Sequence, residues 1–182
     1  MKRLLISVFV FTFCAAAQAQ PSAKPAICSF IQKVIAAKAD SFAAIRSTKE
    51  NPGFVKTFEG KLTPDAQSTC KAHPPREHNG KTEAAMYICL LPSARSMAEM
   101  RPTYERLKSQ IQACYADIPF RDEPSGSEAT HDETLAFVGE NSDLRLSLRA
   151  MDMRSLYDPA PDAFTAEAKQ KPVALAIRID TR

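Results

Sequence analysis

Two histidines, His73 and His78, bracket Pro74-Pro75-Arg76-Glu77. With Glu77 or Glu83 they offer imidazole and carboxylate, ordinary donors for a transition metal. Their spacing matches no defined metal motif, and a solvated loop could carry the same residues. The third histidine, His131, precedes Asp132 and Glu133, which could supply an acid/base pair. Neighbours along a strand point to opposite faces, which weakens His131-Asp132 as a pair. The chain has no Gly-x-Ser-x-Gly to seat a nucleophile and no glycine-rich phosphate loop. A small hydrolase or metal-dependent enzyme using His73, His78 or His131 is therefore the second reading. No cofactor is implied.

Cysteine chemistry is better specified. Cys28, Cys70, Cys89 and Cys114 remain once Cys14 is assigned to a leader. Lys2 and Arg3 open that leader, Leu4 to Ala17 is its apolar run, and Ala17-Gln18-Ala19 is a small-x-small cleavage site. The run is shorter than the roughly 20 residues of a spanning helix, and no later stretch is long and apolar enough to span. Bulky Phe13 argues against lipidation at Cys14. Residues 1–19 are thus read as a secretory signal peptide, and the location as periplasmic or secreted. An even number of cysteines in an exported chain implies two disulfides. With no Cys-x-x-Cys, a redox site or zinc ribbon is not indicated.

Residues 20–182 are of a length for one domain, with a flexible start at 20–25. Lys2 and Arg3 are two of the 24 basic residues, so 22 remain against 21 acidic ones. The formal charge then falls from +3 to +1. Such a balance supports neither nucleic-acid binding nor attraction to an anionic membrane.

The elements that position these residues follow from periodicity. Met97, Met100, Tyr104, Leu107, Ile111 and Cys114 recur at steps of three and four, one apolar stripe on a helix. Ser93 is its expected N-cap, after a strand from Ala85 to Leu91 and a break at Pro92-Ser93. Pro102 lies off the stripe and should kink the solvent side. Ile27 to Arg46 reads as a first helix, free of Gly and Pro. Phe54 to Phe58 and Ile118 to Phe120 read as short strands. Asn79-Gly80 is a two-residue hairpin signal, and that register places Cys70 opposite Cys89. Pro74 and Pro75 cannot donate to a ladder, so a wider loop or bulge is expected between His73 and Lys81. Arg121 to Thr130 reads as an exposed loop. Leu135 to Gly139 and Leu144 to Met151 form a second hairpin, in which Phe137 faces Leu146 and Leu135 faces Leu148. The connection from Asp152 to Lys171 holds a short helix capped by Asp162. Val173, Leu175, Ile177 and Ile179 then alternate with smaller or polar residues in the last strand.

The resulting expectation is an α+β domain: an antiparallel sheet of about five or six strands, with two helices packed on one face. The element order α-β-β-β-α-β-β-β suggests a duplicated unit, but the halves share no convincing residue pattern and no repeat is claimed. Antiparallel helices would bring Cys28 to Cys114, leaving Cys70 for Cys89, so two disulfides staple the fold. Met97, Met100, Met151 and Met153 could line an adaptable groove, but the first two lie on the core stripe. Arg145, Arg149 and Arg178 alternate with apolar residues, and on adjoining strands they form a basic strip on the open sheet face. That strip is a candidate binding surface, though a solvated face would read alike. The first functional reading is a non-enzymatic protein-binding module, such as an inhibitor, immunity or chaperone-like factor, with another envelope or secreted protein as partner. The leader assignment has a direct check: intact mass of the exported protein should place Gln20 at its N-terminus. A product that keeps Met1, or is lipidated at Cys14, would overturn the compartment.

Overall fold

A computed structural model describes residues 24–51, 56–78, 80–123, 134–153 and 166–181. The leader, Phe54, Asn79, His131 and Asp162 lie outside the described residues, as does most of the loop expected at 121–130. Helix α1 spans Ala26–Ala36 and buries Ile27, Cys28, Phe30, Ile31 and Val34. It ends earlier than the alanine-rich sequence implies. Two 3-10 turns follow, Lys38–Asp40 and Ala43–Ile45, with Ser41 and Phe42 at positive φ of 55° and 66°. Left-handed backbone costs a non-glycine residue about 1–2 kcal/mol. In return Phe42 becomes fully buried, its ring 5.6 Å from that of Tyr87. Helix propensity, a weak preference, yields to that contact.

The chain then enters β1 (Arg46–Asn51) and β2 (Thr57–Gly60). The polar sequence of β1 has no alternation to betray it. Next come β3 (Thr69–His73), β4 (Arg76–His78), β5 (Lys81–Glu83) and β6 (Met86–Ala94). His73 faces Met86 below the prolines, and Arg76 faces Glu83 above them, so one register runs the whole length of the hairpin. The expected wider loop is not there. Pro74 and Pro75 interrupt the bonding opposite Ala84 and Ala85 without a register slip, and Gly80 sits at φ 71° in the turn.

Strand β6 runs past Pro92, where a break was expected. Its pairing slips between Leu91 and Ala94, a bulge at which exposed Pro92 owes no ladder bond. Helix α2 therefore starts later, at Met97–Cys114. Its N-cap is Ser96, not Ser93. The Ser96 hydroxyl accepts from the Glu99 N–H at 3.2 Å, and the Glu99 carboxylate accepts from the Arg95 N–H at 3.0 Å. Strands β7 (Phe120–Asp122), β8 (Thr134–Glu140) and β9 (Leu144–Asp152), a short helix α3 (Ala166–Gln170) and strand β10 (Val173–Thr181) complete the order. The β8–β9 register is two residues off the expected one: Phe137 faces Leu148, and Leu135 faces Ala150. Asn141 Oδ1 accepts from the N–H groups of Asp143 and Leu144, which tightens the turn. An even slip keeps every side chain on its expected face.

Eight strands form one antiparallel sheet in the order β1-β2-β3-β6-β10-β9-β8-β7, and β4–β5 form a separate ribbon. The count exceeds the expected five or six because the edge strands β1 and β7 are polar or short. A helix followed by four sheet strands occurs twice, and the two sets meet at β6 and β10. Residues of both helices join one buried cluster with Tyr87, Cys89, Leu146, Leu148, Leu175, Ile177 and Ile179. Tyr87 is anchored within it, donating to the Leu62 carbonyl at 2.8 Å and accepting from the Leu62 N–H at 3.2 Å.

The cysteines pair as Cys28–Cys114 and Cys70–Cys89, with Cα separations of 5.8 and 4.0 Å. The second pair sits closer than the roughly 5.5 Å of a hydrogen-bonded cross-strand pair. These links close 86 and 19 residues of sequence. Chain-entropy estimates give about 4–5 kcal/mol for the longer loop and about 3 kcal/mol for the shorter. Together they rival the whole stability of an ordinary domain. Non-reducing peptide mapping should recover these two pairs alone, and reduction should leave the protein marginal or unfolded. A peptide linking Cys28 to Cys70 or to Cys89 would contradict the fold.

Candidate functional site

Residues on one face of an antiparallel sheet alternate along each strand. Cys89, Leu91, Leu175, Ile177, Leu146 and Leu148 are buried among the helices. Their neighbours face the other way. Cross-strand register then sets the outer face in rows. One row runs Lys71, Ile88, Arg178, Ser147, Val138 and Arg121. The next towards the ribbon runs His73, Met86, Asp180, Arg145 and Glu140. On the other side lie Thr69, Leu90, Ala176, Arg149 and Ala136.

Arg145, Arg149 and Arg178 thus belong to neighbouring rows of one face. They do not form a bare basic strip. Glu123 accepts from Arg145 at 3.1 Å and lies 3.5 Å from Arg149. Arg121 joins them, reaching Glu123 at 3.0 Å and Glu140 at 2.9 Å. Arg178 donates through Nε to Asp180 at 2.7 Å. Alternation points to Asp180, two residues from Arg178 on the same strand. It cannot point to Glu123, which reaches β9 only because β7 and β8 lie alongside.

The middle of the face is apolar. Every residue of β6 from Met86 to Leu91 is apolar, so both sides of that strand are too. Its outward residues Met86 and Ile88 are partly exposed, and Leu90 is 49% exposed. Ala174 and Ala176 continue this apolar strip on β10. The expected strip of Arg145, Arg149 and Arg178 did not include these apolar residues of β6. Leu90 is the large hydrophobic side chain that stands exposed among the described residues.

The histidines gather no comparable site. His73 ends β3, and His78 pairs with Lys81 at the ribbon tip. Five residue steps of extended chain from one to the other span on the order of 16 Å. Burial, then Lys71, Arg76 and Arg178, hold the His73 imidazole below its ordinary pKa, which favours the neutral ring. No group of three or more His, Cys, Asp or Glu suited to a metal ion occurs among the described residues. Met97 and Met100 are core residues on α2, as the stripe implied. No helix among the described residues is long and apolar enough to cross a membrane.

No family model, curated protein or solved structure matches this chain. The site is therefore argued from its own geometry. Glu123 is the shared acceptor of three guanidiniums, and its side chain is only 25% exposed. Glu123→Gln should cost about 1–3 kcal/mol, because charged donors lose a charged acceptor in a half-buried setting. Asp122→Asn, which breaks the exposed Lys108–Asp122 pair, should cost at most about 1 kcal/mol. Urea denaturation of both variants measures the difference. Equal small losses would mean that the network does not hold the arginines.

Proposed function

We propose that this protein is an exported, disulfide-stapled, non-enzymatic protein-binding module of the inhibitor, immunity or chaperone-like kind. Its partner, another envelope or secreted protein, docks on the outer face of the sheet. The observation that carries the reading is the exposed Leu90 within the strip Met86, Ile88, Leu90, Ala174 and Ala176. An apolar centre bordered by polar and arginine side chains has the anatomy of a protein interface. Arg145, Arg149 and Arg178 are already held by carboxylates, so ordering them on binding costs little entropy. Two disulfides suit an oxidising compartment. An exposed apolar strip on a sheet fits a protein surface better than an enclosed small molecule.

The test compares immobilised mature protein, residues 20–182, with its Leu90→Asp variant as bait for native exported proteins. The wild type should retain a partner that the variant retains at least about tenfold less well, a hot-spot-sized effect. Thermal stability should hardly differ, because Leu90 is half exposed and outside the core cluster. Equal capture by both baits would remove the outer face from consideration.

A further inference from the structure

The β4–β5 ribbon and the adjoining end of the outer face border an open cleft of about 510 Å³. Arg76 and Glu83 line it from the ribbon, and Met86, Arg145, Arg178 and Asp180 line it from the sheet. Register explains the convergence. Asp180 pairs with Met86 on one side and Arg145 on the other, and Arg178 is the next outward residue of its strand. Arg76 lies opposite Glu83 across the ribbon and bonds it through Nε. Arg178 likewise reaches Asp180 through Nε, and Arg145 reaches Glu123 through Nη2. The two Nε bonds leave the terminal amino groups of Arg76 and Arg178 out of those contacts. A guanidinium has five N–H donors in a fixed fork, so one bond does not exhaust it.

The charge balance selects the ligand. With the ion pairs that reach this lining counted, five guanidiniums (Arg76, Arg121, Arg145, Arg149 and Arg178) face four carboxylates (Glu83, Glu123, Glu140 and Asp180), an excess of one positive charge. Neutral His73, beside Met86 in the same row, adds none. One excess charge matches a carboxylate and leaves a phosphate dianion under-compensated. Met86 is also the first member of the outward apolar row Met86, Ile88, Leu90. The cleft and the apolar strip are therefore continuous, at roughly 6.6 Å per outward residue.

We infer that the cleft takes a carboxylate side chain of the docking partner, carried by an extended segment whose apolar residues lie along Ile88 and Leu90. This rests on the outer face being the docking surface. Arg76 and Arg178 supply the charge-assisted bonds, and Arg145 the neighbouring field.

The test uses full mature protein and two blocked hexapeptides. One has glutamate followed by alternating serine and leucine, which puts the glutamate and the leucines on one side of the extended chain, and the other has glutamine in place of the glutamate. Nitrogen-15 NMR titration reads the affinity and the residues perturbed, the arginine Nε signals included. The glutamate peptide should bind at least fivefold more tightly, about 1 kcal/mol by the tenfold-per-1.4 conversion. It should shift the Arg76 and Arg178 signals together with the Leu90 amide. Arg178→Gln should erase the preference, and its amide spectrum without peptide, matching the wild type away from the cleft, is the control for folding. Leu90→Asp should weaken both peptides alike. Equal affinity for the two peptides overturns the carboxylate site but leaves outer-face docking standing. Failure of both peptides to bind overturns the inference, and the Leu90→Asp capture experiment then judges docking separately. Arginine shifts with succinate but with neither peptide would assign the cleft to a free acid, which also overturns it.

Discussion

The antiparallel pairing of β6 with β10 is the constraint on which the rest depends. These two strands are the centre of the eight-stranded sheet, and each carries one half of the chain with it. Remove their pairing and the sheet divides into two four-stranded pieces, each with one long helix. The contact is long, reaching from Val173 opposite Ala94 to Asp180 opposite Met86. On the inner side it aligns Tyr87, Cys89 and Leu91 with Leu175, Ile177 and Ile179, all buried. On the outer side it aligns Ile88 and Leu90 with Arg178 and Ala176. The core and the candidate surface are thus two sides of one ladder.

The two halves solve the same packing problem differently. Across the middle of the sheet one row reads Cys70, Cys89, Ile177 and Leu148. Cys70–Cys89 joins β3 to β6, the inner pair of strands of the first half, covalently. Ile177 and Leu148 occupy the corresponding place in the second half and rely on packing alone. The second disulfide has another task. Cys28–Cys114 ties α1 to α2, so it links the halves above the sheet as β6–β10 links them within it. Thiol pairing in an oxidising compartment can therefore lock both levels of the architecture, strand to strand and half to half.

The outer face combines features that pull in opposite directions. Arginines on a sheet surface favour solvent or an anion, whereas an exposed leucine favours burial. Ion pairing reconciles them. Glu123, Glu140 and Asp180 absorb most of the arginine charge, so the face repels a protein partner less than its basic residues alone imply. One positive charge of the network remains, and the ribbon end gathers Arg76, Arg145 and Arg178 around a cleft. The same ribbon register that survives Pro74 and Pro75 puts Arg76 there.

The sequence by itself determined what depends on neighbours in the chain. Period-2 and period-3.6 spacing is local, so the α2 stripe, β10 and the shared face of Arg145 and Arg149 were all legible. The Asn79-Gly80 spacing fixed the Cys70–Cys89 register, because a hairpin is counted from its turn. Tertiary structure decided whatever a distant segment could overrule. The end of α1 is set by Phe42 turning onto Tyr87, a contact no helix propensity encodes. Strands β1 and β7 exist because a neighbouring strand offers them a ladder, not because their residues alternate. Glu123 joins Arg145 and Arg149 only after β7 and β8 are laid beside β9. Local pattern fixes which way a side chain faces, and strand order fixes which side chains meet.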